Sequence, residues 1–72
     1  MDITQAIEIV KKTYPDAVLY TCAETEELFF FSYNVERAGS CSIVVEKNTS
    51  NCSIVHFKKI IHKKIINITD LK

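Results

Sequence analysis

Three runs of apolar residues lie between Leu28 and Phe57, and each reads as a strand. Leu28–Tyr33 (LFFFSY) is rich in aromatic rings, which favour a pleated, half-buried surface. Leu28 and Phe30 fall on one face of that strand; Phe29, Phe31 and Tyr33 fall on the other. Apolar residues on both faces predict a central strand covered in part on each side. Ser42–Lys47 alternates Ile43 and Val45 against Val44 and Glu46. Cys52–Phe57 alternates Cys52, Ile54 and His56 against Ser53, Val55 and Phe57. Between these two runs, Asn48-Thr49-Ser50-Asn51 has the chemistry of a tight turn, in which Asn tolerates the left-handed conformation. Ser42–Phe57 is therefore expected to be a hairpin. The link from Tyr33 to Cys41 reads as a loop around the chain's one glycine, Gly39, whose backbone position other residues would reach only at a cost.

Upstream, Ile3, Ala6, Ile7 and Val10 recur at helical spacing, with Gln5, Glu8, Lys11 and Lys12 on the opposite side. Asp2 or Thr4 can cap the first turn. Pro15 pushes the residue before it out of the helical region, so an amphipathic helix is expected from Asp2 to Thr13. Ala17–Cys22 follows as a first strand, with Val18, Tyr20 and Cys22 facing one way and Ala17, Leu19 and Thr21 the other. A polar, acidic turn, Ala23–Glu27, leads into Leu28; at five residues it is longer than the two of an ideal hairpin. After Phe57, Ile61, Ile65 and Ile68 suit a helix face, while the density of β-branched residues suits an edge strand equally well. A short helix or irregular turn is expected there, followed by a strand near Lys64–Ile68. The whole reads as one α+β domain over residues 1–72: an N-terminal helix on an antiparallel meander of about four strands.

Seventy-two residues bury only a small core: a chain of this size hides roughly 60% of its unfolded surface. That leaves little room for a deep, water-excluding catalytic pocket. No run of residues approaches the ~20 apolar positions of a transmembrane helix, and the N-terminus lacks a basic-then-apolar signal pattern. The three cysteines, Cys22, Cys41 and Cys52, cannot all pair within the chain. An odd count favours reduced thiols and a cytoplasmic location.

The formal charge is zero but unevenly spread. Residues 1–46 carry eight acids against three bases, and residues 47–72 six bases against one acid. Such a division implies a dipolar surface or pairing between the two halves. The chemistry on offer is sparse. The cysteines are isolated, without a CxxC, though Cys22, Cys52 and His56 could converge across neighbouring strands. Glu24, Glu26 and Glu27 sit in an exposed turn, where nothing raises a carboxyl towards neutrality for acid catalysis. No phosphate-cradling glycine loop and no serine elbow is present. The reading is of a protein without catalytic residues, cofactor or metal.

The stretch Ala38-Gly39-Ser40-Cys41-Ser42-Ile43-Val44-Val45-Glu46-Lys47-Asn48-Thr49-Ser50-Asn51 resembles, without a gap, part of the bacterial immunity protein 35 family. That family shows an alanine-glycine pair, a short polar step, a proline, an apolar triplet, then acid-lysine-x-Thr/Ser-Gly at a hairpin turn. Here Ser42 stands at the proline and Ser50 at the turn glycine. A helix and an aromatic strand precede the stretch in both, so the likeness spans residues 2–57. The same order of elements also resembles the PepSY-type domain, a small module linked to protease inhibition. Neither supplies a catalytic residue. The immunity resemblance implies a protein-binding inhibitor of a cognate toxin, for which Glu24, Glu26, Glu27 and Glu36 would meet a basic partner. Two other readings stand beside it. Lys58, Lys59, Lys63 and Lys64 could neutralise the phosphates of a nucleic acid. Alternatively the aromatic face or a strand edge could join two copies of the chain.

Overall fold

Asp2 starts the helix. Its Oδ1 accepts the Gln5 N–H at 2.9 Å, and Gln5 Oε1 accepts the Asp2 N–H at 3.0 Å. This reciprocal box satisfies two of the donors that a helix start leaves open. A computed structural model of the protein describes residues 1–33, 41–56 and 64–71. Within them α1 spans Ile3–Thr13, as its periodicity predicts. Lys11 and Lys12 lie in its last turn, where cations favour the carbonyl end of the helix. The Tyr14 N–H closes on the Val10 carbonyl at 2.7 Å before Pro15 ends the run.

Among the described residues five strands follow: β1 Leu19–Glu24, β2 Leu28–Tyr33, β3 Cys41–Glu46, β4 Cys52–His56 and β5 Asn67–Asp70. They form one antiparallel sheet in the order β4-β3-β2-β1-β5. The first four make the expected meander, with β2 at the centre. The fifth is an addition to it, and it lies on the far edge, beside β1. The helix packs on one face. Ala6 and Val10 meet Cys22, Phe29, Phe31, Ile43 and Val45 in the main core, with Ile3, Ile7 and Ile9 partly buried around them. On the second face Leu28 and Val44 are buried, with Phe30 and Val55 packed against them. The two-sided apolar pattern of β2 thus reflects two clusters. Phe29 and Phe31 lie inside the core, while Tyr33 on the same face is partly buried.

Three details depart from the expected pattern. First, β1 begins two residues later than Ala17, and its register slips between Leu19 and Thr21. Two residues of β1 there oppose one step of β2, which is a bulge. Leu19 consequently joins Cys22 on the helix side, together with Ala17, while Tyr20 and Val18 are exposed. Strict alternation placed Leu19 and Cys22 on opposite faces. Second, the strand expected at Lys64–Ile68 starts at Asn67, with Lys64–Ile66 irregular before it. Ile68 opposes Ala23, and the Ile66 N–H reaches the Glu24 carbonyl at 2.8 Å. Third, the acidic turn is shorter than expected, because β1 runs on to Glu24, while β2 starts at Leu28 as expected. The Thr25 N–H bonds the Leu28 carbonyl at 2.8 Å, leaving Glu26-Glu27 as a two-residue tip. The Tyr33–Cys41 loop with Gly39, the end of the last hairpin strand at Phe57 and the short helix or turn expected after it lie outside the described residues.

The β3–β4 turn adopts the left-handed conformation at Ser50, with φ 60°, rather than at an asparagine. The Ser50 N–H bonds the Glu46 carbonyl at 2.9 Å, and Thr49 Oγ1 donates to Glu46 Oε2 at 2.9 Å. A residue with a Cβ pays about 1–2 kcal/mol in this region, and glycine loses about 0.5–1 kcal/mol of that advantage through chain entropy. Ser50→Gly is expected to raise stability by about 0.5–1 kcal/mol, read as a higher urea midpoint at an unchanged slope.

Candidate functional site

The end of the sheet where α1 begins collects most of the acidic turn. Glu24 closes β1, and its side chain is on the helix side beside Phe29. Lys47 Nζ lies 2.7 Å from Glu24 Oε2 and 4.9 Å from the centre of the Phe29 ring. Both members of this ion pair are mostly shielded, with 18% and 28% of the lysine and glutamate side chains exposed. The acid-rich and base-rich halves of the chain are therefore joined internally here. Glu24, expected to meet a partner, is neutralised within the fold.

Glu26 and Glu27 form the exposed tip of the β1–β2 turn. The sheet register adds a residue that the linear sequence did not single out. Glu46 lies opposite Leu28, one step from that tip, and is exposed. The Lys47 N–H bonds the Glu27 carbonyl at 2.9 Å, so the two turns are tied together by backbone. Three exposed carboxylates, at Glu26, Glu27 and Glu46, thus stand on two adjoining turns. The turn beneath them is held by Thr25, which is 3% exposed. Its Oγ1 accepts the Leu28 N–H at 3.1 Å and the Glu27 N–H at 3.3 Å, and it donates to the Leu28 carbonyl at 3.3 Å. No residue of the tip has positive φ, so this is neither of the primed turns usual in two-residue hairpins. The buried hydroxyl supplies the bonds instead.

Of the lysines expected to form a basic patch, Lys64 is exposed just before β5. Lys58, Lys59 and Lys63 lie outside the described residues, as do His62 and Glu36. The described part of the patch is one side chain, on the irregular approach to the acidic end.

Cys22 and Cys52 do not converge. Cys22 opposes Phe31 on β1, whereas Cys52 opposes Val45 on β4. Two strands separate them, roughly 14 Å at the spacing of neighbouring strands. The register places His56 opposite Cys41 instead. All three thiols are free. Among the described residues, no group of three or more His, Cys, Asp or Glu is placed to hold a metal ion. No described helix is long and apolar enough to cross a membrane.

Burial, with the Glu24 carboxylate beside it, pushes the Cys22 thiol up to about 11 from an ordinary value of 9.0. Burial raises Cys52 as well, opposed in part by a hydrogen bond with the Thr13 side chain. For Cys22 the folded protein keeps its proton where the unfolded chain has lost it. The associated stability is fully present below pH 9 and declines as pH rises towards 11. Its full size is about 2–3 kcal/mol. The gap in urea midpoint between wild type and Cys22→Ala is expected to narrow across that window, and a constant gap would show that the thiol does not titrate there.

At the opposite end, Thr13, Tyr14, Pro15, Asp16, Ala17, Tyr33, Ile43 and Ile54 line an open, mainly apolar groove of about 400 Å³. Burial raises Tyr33 there, with smaller contributions from Cys41 and Tyr14. Compared with known proteins, the chain matches no family model, no curated sequence and no solved structure.

Proposed function

We propose that this protein is a non-enzymatic binding module that blocks a basic protein partner, in the manner of an immunity protein restraining a cognate toxin. The observation that carries the reading is the joining of two turns at one end of the sheet, which exposes Glu26, Glu27 and Glu46 together. Carboxylates gathered on a rigid sheet end raise the rate of encounter with a positively charged surface and orient it. Thr25 and the Glu24–Lys47 pair hold the turns in place, and the partner is obstructed sterically. The resemblance of Ala38–Asn51 to the immunity protein 35 family supports the same reading. Ser50, at the position where that family carries glycine, has positive φ. The cytoplasm is the compartment in which three free thiols are ordinarily maintained.

The test is capture from a lysate of the source cells on two baits, wild type and the Glu26→Lys, Glu27→Lys, Glu46→Lys variant. One basic protein retained by wild type and lost from the variant is the expected result. Equal retention on both baits, or nucleic acid alone on both, would contradict it.

A further inference from the structure

We infer that β4 is a self-pairing edge through which two copies of this chain form one continuous sheet, centred on Ile54. This goes beyond the acidic-end reading and does not depend on it.

β4 is the last strand on its side of the sheet, and among the described residues no strand pairs with its outer edge. The ladder with β3 shows which backbone groups face outward. The Glu46 N–H bonds the Asn51 carbonyl, so the bonded pairs recur at Val44 with Ser53 and at Ser42 with Val55. The N–H and C=O groups of Cys52 and Ile54 therefore point away from β3. Outward groups that no described residue pairs are a template for another strand. Natural edges are usually blunted by lysine, proline, a bulge or brevity. β4 has no Lys, Asp, Glu or Pro and no bulge in its five residues. The opposite edge differs: β5 is four residues long and carries Asp70.

The same contrast favours a second copy as the occupant. A strand without formal charge can lie against itself without like-charge repulsion, and antiparallel pairing about a two-fold axis closes the assembly at two chains. Pairing β4 of one copy to β5 of the next would leave free ends and grow into filaments. With Ile54 on the axis, each copy's outward groups at that residue bond those of the other. The Ile54 side chain, 44% exposed on the helix side and continuous with the apolar groove, meets its counterpart there. A single strand edge with one apolar contact is a small interface, so the pairing is weak and reversible.

Sedimentation across a range of protein concentrations tests this directly. A monomer–dimer equilibrium is expected, weakened at least tenfold by Ile54→Lys and unchanged by Ile68→Lys on β5. Because Ile54 is substantially exposed, the lysine variant is expected to keep the wild-type circular dichroism spectrum. The register is tested separately by Ile54→Cys in a Cys41→Ser, Cys52→Ser background, which leaves buried Cys22 as the other thiol. Opposed residues of a bonded antiparallel pair stand about 5.5 Å apart between Cα atoms, within disulfide reach. Mild oxidation should therefore cross-link the variant into dimers, and Ile68→Cys in the same background should stay monomeric. A monomer at every concentration would overturn the inference, as would species larger than a dimer or disruption by Ile68→Lys in place of Ile54→Lys.

Discussion

Phe31→Ala is expected to leave little folded protein at 37 °C. Phe31 is fully buried at the middle of the sheet, between Cys22 on β1 and Ile43 on β3, in the core that α1 covers with Ala6 and Val10. Removing a buried phenyl ring costs about 3–5 kcal/mol, part of it from the cavity left behind. A domain of this length has roughly 4–11 kcal/mol in total. The substitution thus removes between about a quarter and all of the stability. The comparison that makes the test specific is Phe30→Ala. Phe30 is next in the chain but sits half-buried on the second face with Leu28 and Val44, and its loss should cost clearly less. Urea unfolding of the two variants reads the difference. Equal losses would mean that the helix-side cluster is not the principal core.

Thr25→Val is the second large effect, and it is disproportionate to the change in shape. Valine keeps the volume of threonine but cannot accept a hydrogen bond. The buried Leu28 N–H and the Glu27 N–H would both lose the Thr25 oxygen. A buried donor left without a partner costs about 1–3 kcal/mol. In a domain of this size each kcal/mol lowers the melting temperature by about 4–8 °C. Thr25→Ser, which retains the oxygen and loses a methyl group, should be the milder change. If serine proved as damaging as valine, packing of the methyl and not the hydroxyl would be what holds the turn. Under the function proposed above, the consequence extends to recognition, because this turn carries Glu26 and Glu27. Loosening it is expected to weaken partner binding without removing a charge.

Local signals account for the parts of this fold that could be read in advance. The helix was legible because its cap, its apolar stripe and its terminating proline agree. β2 was legible as the central strand because both of its faces are apolar. The faces of β1 were not, since a bulge between Leu19 and Thr21 leaves no mark in alternation. The last strand was ambiguous for another reason. Isoleucines separated by lysines satisfy helical and extended spacing alike, and only pairing with β1, more than forty residues earlier, decides for a strand.

The candidate site divides in the same way. Glu26 and Glu27 were visible as a turn. The withdrawal of Glu24 into a pair with Lys47, and the arrival of Glu46 beside the tip, both depend on a register that joins distant segments. Cys22 and Cys52, which could have converged across neighbouring strands, are kept apart by the meander order, which places two strands between them.

If the acidic end meets a basic protein, as proposed, the rate of that encounter reports it. With the captured partner in hand, the association rate constant should be followed as salt is raised from low to physiological ionic strength. Steering by Glu26, Glu27 and Glu46 predicts a rate that falls steeply with salt, and a slower, nearly salt-independent rate for the triple lysine variant. A wild-type rate indifferent to salt and equal to that of the variant would contradict the claim and place recognition elsewhere on the molecule.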